Sequence, residues 1–197
     1  MVFQVRIHGR GGQGVVTAAE LLSVAAFAEG RHAQAFPSFG SERTGAPVVA
    51  FCRISDTEIR VREPVMNPNA VIVQDTTLLH HVDVFGGLVD GGYVLVNSAH
   101  SLESLGIGDL TGGMTASRIV TVPATDLALE HLGRPVPNIV LLGGLAALTG
   151  IVSLPSVVDA VRQKFHGSVA EGNIAAATAA FELVQSQVEE RVDAQAG

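Results

Sequence analysis

The stretch RIHGRGGQGVVTAAE, residues 6–20, constrains the fold of this chain more than any other. A short apolar run, VFQVRI (2–7), reads as a strand and leads into Gly9, Gly11, Gly12 and Gly14. VVTAAELLSVAAFAEG (15–30) then reads as a helix that is apolar on nearly all sides and closed by Gly30. Gly9, Gly11 and Gly14 fit G-x-G-x-x-G in its required strand–loop–helix setting. Glycines let the main chain turn tightly and approach an oxyanion, and the free N–H groups of a helix start point at it. Arg10 in the loop, or Arg43 from a later one, would add a fixed positive charge. The motif alone therefore leaves two readings: a grip for a phosphate-bearing ligand, or a tight packing turn between strand and helix.

The surroundings disfavour two common nucleotides. A dinucleotide fingerprint needs an acid at the end of the second strand, to hold the ribose hydroxyls. Here that strand, HAQAF (32–36), runs into Pro37-Ser38, with Glu29 before it and Glu42 in the following loop. No Gly-Lys-Ser/Thr follows the glycines, so the loop is not a Walker A loop.

The rest of the chain alternates strands and helices. VVAFCRIS (48–55) and EIRVRE (58–63), joined by Asp56-Thr57, read as a two-residue hairpin. AVIVQD (70–75), YVLVNS (93–98) and RIVTVPA (118–124) read as further strands. TTLLHHVDVFGGL (76–88) and TDLALEHLG (125–133, Thr125 as N-cap) read as helices. So does an apolar segment capped by Asn138, one starting at Ser153 and Pro155, and NIAAATAAFELVQSQVEERV (173–192). With 197 residues, 47% apolar and only 16% charged, most of the chain should be buried or at an interface. The expected architecture is α/β: a single three-layer α/β/α Rossmann-like domain over 1–190, with a mixed, mostly parallel sheet. Residues 191–197 would form a polar C-terminal tail.

Charge narrows the partners. Net charge is −7, yet residues 1–62 carry seven Arg against five acids. An anion is thus expected at the N-terminal third, and no nucleic-acid surface elsewhere. Cys52 is the only cysteine, so the chain alone can hold no disulfide, zinc or iron–sulfur cluster. The start lacks a basic n-region before an apolar core, and the longest apolar run, 139–152, is too short to span a bilayer. A cytoplasmic location without membrane contact is the expectation.

Minor candidates have plain readings beside functional ones. His80 and His81 would point about 100° apart on a helix and share no metal. Cys52 reads as a small buried hydrophobe. Asp75 either touches a ligand or caps the segment at Thr76-Thr77. Ser98, at a strand end before the Gly-rich connection 100–117, is a modest contact candidate.

The block HGRGGQGVVTAAELLSVAAFAEG, followed by AQAFPSFGSERTGAPVVAFCRI, resembles the gamma subunit of the 2-oxoacid:acceptor oxidoreductases, the family of pyruvate:ferredoxin oxidoreductase. The likeness is dense over 5–54 and continues through RPVPNIVLLGGLAALTGIV and EGNIAAATAAFE. It implies a non-catalytic subunit of a multi-subunit enzyme that oxidatively decarboxylates a 2-oxoacid to an acyl-coenzyme A. Thiamine diphosphate, Mg and 4Fe-4S clusters would lie in partner catalytic and iron–sulfur subunits, with ferredoxin or an NAD-linked flavoprotein as acceptor. The substrate would be pyruvate by default; 2-oxoglutarate, branched-chain and aromatic 2-oxoacids such as phenylglyoxylate are the alternatives.

The resemblance also implies that this chain binds coenzyme A phosphates through Gly9, Arg10, Gly11, Gly12, Gln13 and Gly14, with Ser41 and Arg43 from the second motif. It implies no catalytic and no metal-binding residue here. Coenzyme A fits the missing acid, because its 3′-phosphorylated ribose would be repelled by one. Two rivals stand beside this reading: an assembly subunit whose glycine loop only packs, and a free-standing nucleotide-binding dehydrogenase.

Overall fold

A computed structural model describes residues 1–38, 44–108 and 113–196, so Ser41, Glu42 and Arg43 lie outside the described residues. The strands are β1 (Val2–Arg10), β2 (His32–Pro37), β3 (Pro47–Ser55), β4 (Ala70–Val73), β5 (Tyr93–Asn97) and β6 (Ile119–Val122). The helices are α1 (Val15–Ala28), α2 (Ala124–Leu132), α3 (Asn138–Thr149), α4 (Leu154–Lys164) and α5 (Gly167–Ala196). One sheet joins the strands in the order β2-β3-β1-β4-β5-β6. β1, β4, β5 and β6 pair in parallel, whereas β3 runs antiparallel between β1 and β2. The α/β fold with a mixed, mostly parallel sheet is therefore as expected from the sequence.

Strand periodicity sorts the core into two layers. Val5 and Ile7 of β1, Cys52 and Ile54 of β3 and Ile72 of β4 face the helices, where they meet Leu22, Leu142 and Leu145. On the other face Val71, Val73, Val94 and Val96 lie under Leu78, Leu79, Val84 and Ile107. That layer is built from a 3-10 helix (Thr76–His80) and turns, with no long helix among the described residues. Each large apolar side chain so buried contributes about 1.5–3 kcal/mol. α3 is apolar all round because it is sandwiched: Ile139 to Ala146 are all buried. Its Gly143 packs directly on the backbone of Ala177 in α5, where any Cβ would strike the Ala177 carbonyl.

Four expectations need correction. Residues 58–63 form no hairpin arm, because both edges of β3 are already paired, by β1 and β2. The segment instead crosses the sheet, where the carbonyl of Glu63 accepts from the buried Arg53. The helix expected over 76–88 stops at His80; Gly87 adopts φ +73 and the carbonyls of Val84 and Gly86 turn to accept from Arg6. Neither Thr125 nor Asn138 is an N-cap. Pro123 and Pro137 hold those positions, while the Asn97 carboxamide accepts from the Thr125 amide at 3.1 Å. The last helix starts at Gly167, six residues early, and continues through 191–196, with Arg191 donating to the carbonyls of Ala116 and Ile119.

Other readings hold. Ser153 caps α4 by accepting from the Ser156 amide at 3.3 Å, with Pro155 in the first turn. Asp75 caps the 3-10 helix, accepting from the Thr77 amide at 3.0 Å. Cys52 is fully buried. His80 and His81 are exposed, and no cluster of potential metal ligands occurs among the described residues. Among those residues no helix is long and apolar enough to cross a membrane.

Candidate functional site

β1 ends in the glycine loop, and the loop is anchored on both flanks. The Gly11 amide donates to Ala46 O at 2.9 Å, and the Gly45 amide donates back to Gly11 O at 3.1 Å. Inside the loop Gln13 N–H closes a turn on Arg10 O at 3.1 Å. Gly12 and Gly14 adopt φ +93 and +71, left-handed values that strain any residue with a Cβ. At Gly14 a Cβ would also collide with the Asn138 carboxamide, whose Nδ2 donates to Gly14 O at 3.1 Å. Gly9 has a steric reason alone, since a Cβ there would lie 2.6 Å from Val15. Around Gly12 the space is open.

Polar side chains brace this shape. The Gln13 carbonyl oxygen accepts from the Arg10 amide at 2.8 Å, and its NH2 donates to Asp75 Oδ2 at 2.8 Å. The Arg10 guanidinium donates to Thr77 Oγ1 at 2.7 Å and Gly45 O at 3.0 Å, and lies 3.4 Å from Asp75. Arg10 and Gln13 are thus committed to the loop's geometry, and the positive end of the site comes from backbone. Burial alone would raise the Asp75 pKa. Hydrogen bonds from Thr77 and Gln13, with the charge of Arg10, hold it below the ordinary carboxylate range instead.

The loop leaves amides free. Gly12, Gly14 and the first turn of α1 donate to nothing among the described residues, apart from the helical ladder that begins when Ala18 bonds to Gly14 O. α1 has no side-chain cap and no acid in its first turn. These amides border a hollow of about 490 Å³ lined by Gly11, Gly12, Gly14, Val15, Thr17 and Thr44. Unpaired N–H groups and the positive end of a helix dipole favour an anion there.

A second polar hollow of about 420 Å³ opens at the carboxyl ends of β4 and β5, beside Gln74, Asp75, Asn97 and Ser98. Asn97 is used structurally, donating to Gln74 O and Thr125 Oγ1, both at 2.8 Å. Ser98 Oγ accepts from the His100 amide at 2.9 Å.

Two residues that brace the site escaped the sequence reading. Asn138 lies 124 positions from Gly14, and only its place at an apolar helix start hinted at a role. His8 precedes the first loop glycine and is 4% exposed, with Nε2 accepting from Arg6 Nε at 3.0 Å. Burial, and then the charge of Arg6, push the His8 pKa down to about 4.

Comparison with known proteins agrees with this architecture. Residues 4–183 match the family model described as pyruvate ferredoxin/flavodoxin oxidoreductase. The chain is 47% identical over 184 residues to pyruvate synthase subunit PorC of Methanothermobacter thermautotrophicus, covering 93% of this chain and 97% of the relative. It is 47% identical over 180 residues to the common gamma subunit of the pyruvate/ketoisovalerate oxidoreductases of Thermococcus kodakarensis, covering 91% and 96%. The crystal structure of the pyruvate oxidoreductase subunit PORC from Thermotoga maritima superposes with a TM-score of 0.80 at 38% identity, over 92% of this chain and 96% of that one. A 2-oxoglutarate:ferredoxin oxidoreductase from Magnetococcus marinus shares the fold, with a TM-score of 0.71 at 16% identity, over 96% of this chain and 31% of that chain. With the match running nearly end to end on both sides, the chain belongs to the pyruvate ferredoxin/flavodoxin oxidoreductase family, as a member of its gamma-subunit type.

Proposed function

We propose that this chain is the coenzyme A-holding subunit of a thiamine-diphosphate-dependent 2-oxoacid oxidoreductase. The observation that carries this reading is the set of unpaired amides at Gly12, Gly14 and the start of α1, facing an open hollow with no acid in the first helical turn. A diphosphate seated there gains charge-assisted hydrogen bonds from the backbone. Arg10 and Gln13 hold the cradle's shape, while Ser41 and Arg43 belong to the neighbouring motif and would add contacts to ligand or partner chain.

The chemistry itself belongs elsewhere in the assembly. Thiamine diphosphate with Mg, and 4Fe-4S clusters, would reside in partner subunits and pass electrons to ferredoxin or an NAD-linked flavoprotein. The relatives' names, pyruvate synthase and pyruvate/ketoisovalerate oxidoreductase, favour pyruvate, with a branched-chain 2-oxoacid next. The chain would act as one unit over 1–190, supporting assembly from the cytoplasmic side of metabolism.

Gly12→Val tests the reading in the assembled complex. Its side chain would stand in the open space over the loop and strain a φ of +93. The apparent Michaelis constant for coenzyme A should rise about tenfold or more, a cost of ~1.4 kcal/mol. Coenzyme A-independent decarboxylation should survive. An unchanged coenzyme A dependence in a fully assembled variant would overturn the ligand assignment.

A further inference from the structure

A third hollow, of about 400 Å³, lies behind the glycine loop and meets the first one at Gly12, Gly14 and Thr17. Three helix starts converge on it. Gly14 and Thr17 open α1, Asn138 opens α3, and Ser168 opens α5. All three helices lack an acid in the first turn, and neither α1 nor α3 has a side-chain cap. Arg134 and His131 stand at its border, and no carboxylate lines it; the first acid of α5, Glu171, falls outside the lining. Three dipole ends and a guanidinium with no acid to neutralise them make a place for a multiply charged anion.

Asn138 adds an independent requirement. It is 4% exposed and lines the hollow; its Nδ2 is engaged by Gly14 O, but its Oδ1 has no partner. A buried acceptor left unpaired costs about 1–3 kcal/mol, so the site is suited to a ligand that brings a donor beside its anion. A phosphate monoester next to a free hydroxyl on a ribose has both.

We propose that this hollow receives the 3′-phosphate and neighbouring 2′-hydroxyl of the coenzyme A ribose, with Arg134 and the three helix starts taking the phosphate and Asn138 the hydroxyl. The inference rests on the coenzyme A reading, in which the diphosphate occupies the loop; the two hollows share the loop's crest, one ribose apart. The apolar flank of the first hollow, Val15, Val16 and Val48, is left for the pantetheine arm.

The test compares coenzyme A with dephospho-coenzyme A, which lacks only the 3′-phosphate, by calorimetric titration of the assembled complex. The wild type should bind coenzyme A about tenfold or more tightly than the dephospho form. Arg134→Gln, an exposed position, should close most of that gap by weakening coenzyme A alone. Equal wild-type affinities, or an Arg134→Gln variant that weakens both compounds alike or neither, overturn the subsite. Gly12→Val separates the two levels. If it abolishes binding of both compounds while the wild type does not distinguish them, the loop assignment stands and the subsite falls. If neither compound binds the wild type, both fall together.

Discussion

His8 makes the stability of this chain depend on pH in a way that geometry predicts. Its imidazole is buried on the sheet and accepts a hydrogen bond from Arg6, so it must be neutral to keep that contact. Its pKa is about 4 folded against an ordinary 6.5, so the unfolded chain binds the proton more readily. The stabilisation is therefore complete above pH 6.5 and is lost as pH falls toward 4. Between pH 7 and pH 5 the loss from this one group is about 2 kcal/mol. The assay is urea unfolding at both pH values, for the wild type and for His8→Gln, which keeps an acceptor for Arg6 but does not titrate. The variant's own destabilisation cancels in the difference between pH values. The wild type should lose about 2 kcal/mol more than His8→Gln over this range. Equal losses in the two proteins would show that the imidazole is not held neutral by burial beside Arg6, and the account of that sheet face would fail.

Three other outcomes follow from contacts described above. Gly143→Ala drives a methyl into the Ala177 carbonyl and should cost about 3 kcal/mol, read as a drop in the urea midpoint. Asp75→Asn weakens the bonds that Gln13 and Thr77 donate, so amide hydrogen exchange at Gly11 to Gly14 should quicken while exchange in α3 stays unchanged. The folded Asp75 pKa lies below its unfolded one, so the same loosening should appear in the wild type as pH falls through the folded value. The Cys52 thiol is fully buried, and burial pushes its pKa up, so a thiol reagent should label it only under unfolding conditions.

What could be read in the sequence was whatever depends on neighbours along the chain. Gly9 to Gly14 between an apolar strand and an apolar helix gave both the fold class and the cradle, because the signal and the structure share the same dozen residues. Ser153 with Pro155 marked a helix start for the same reason. Failures came where a distant element decided the outcome. Residues 58–63 alternate like a strand, but β1 and β2 had taken the edges of β3. Residues 76–88 hold enough apolar side chains for a helix, but Arg6, about 80 positions earlier, draws the carbonyls of Val84 and Gly86 out of helical line. Arg10 looked like a cation for the ligand, and its engagement by Thr77 and Gly45 is invisible without the turn that brings them together. The third hollow is the extreme case, since its three helix starts are separated by more than a hundred residues of chain.

The reversed strand β3 bears on any attempt to change what this scaffold recognises. In a doubly wound dinucleotide domain the first two strands are neighbours, and a carboxylate at the tip of the second reaches the ribose held at the first glycine turn. Here β3 stands between them, so the tip of β2 at Pro37 is two strands away from the end of β1. Placing an aspartate there would put it out of reach of anything bound at Gly12, however well the glycines were preserved. Cofactor swapping by single acid grafts, which works where the strands adjoin, has no geometric footing on this sheet.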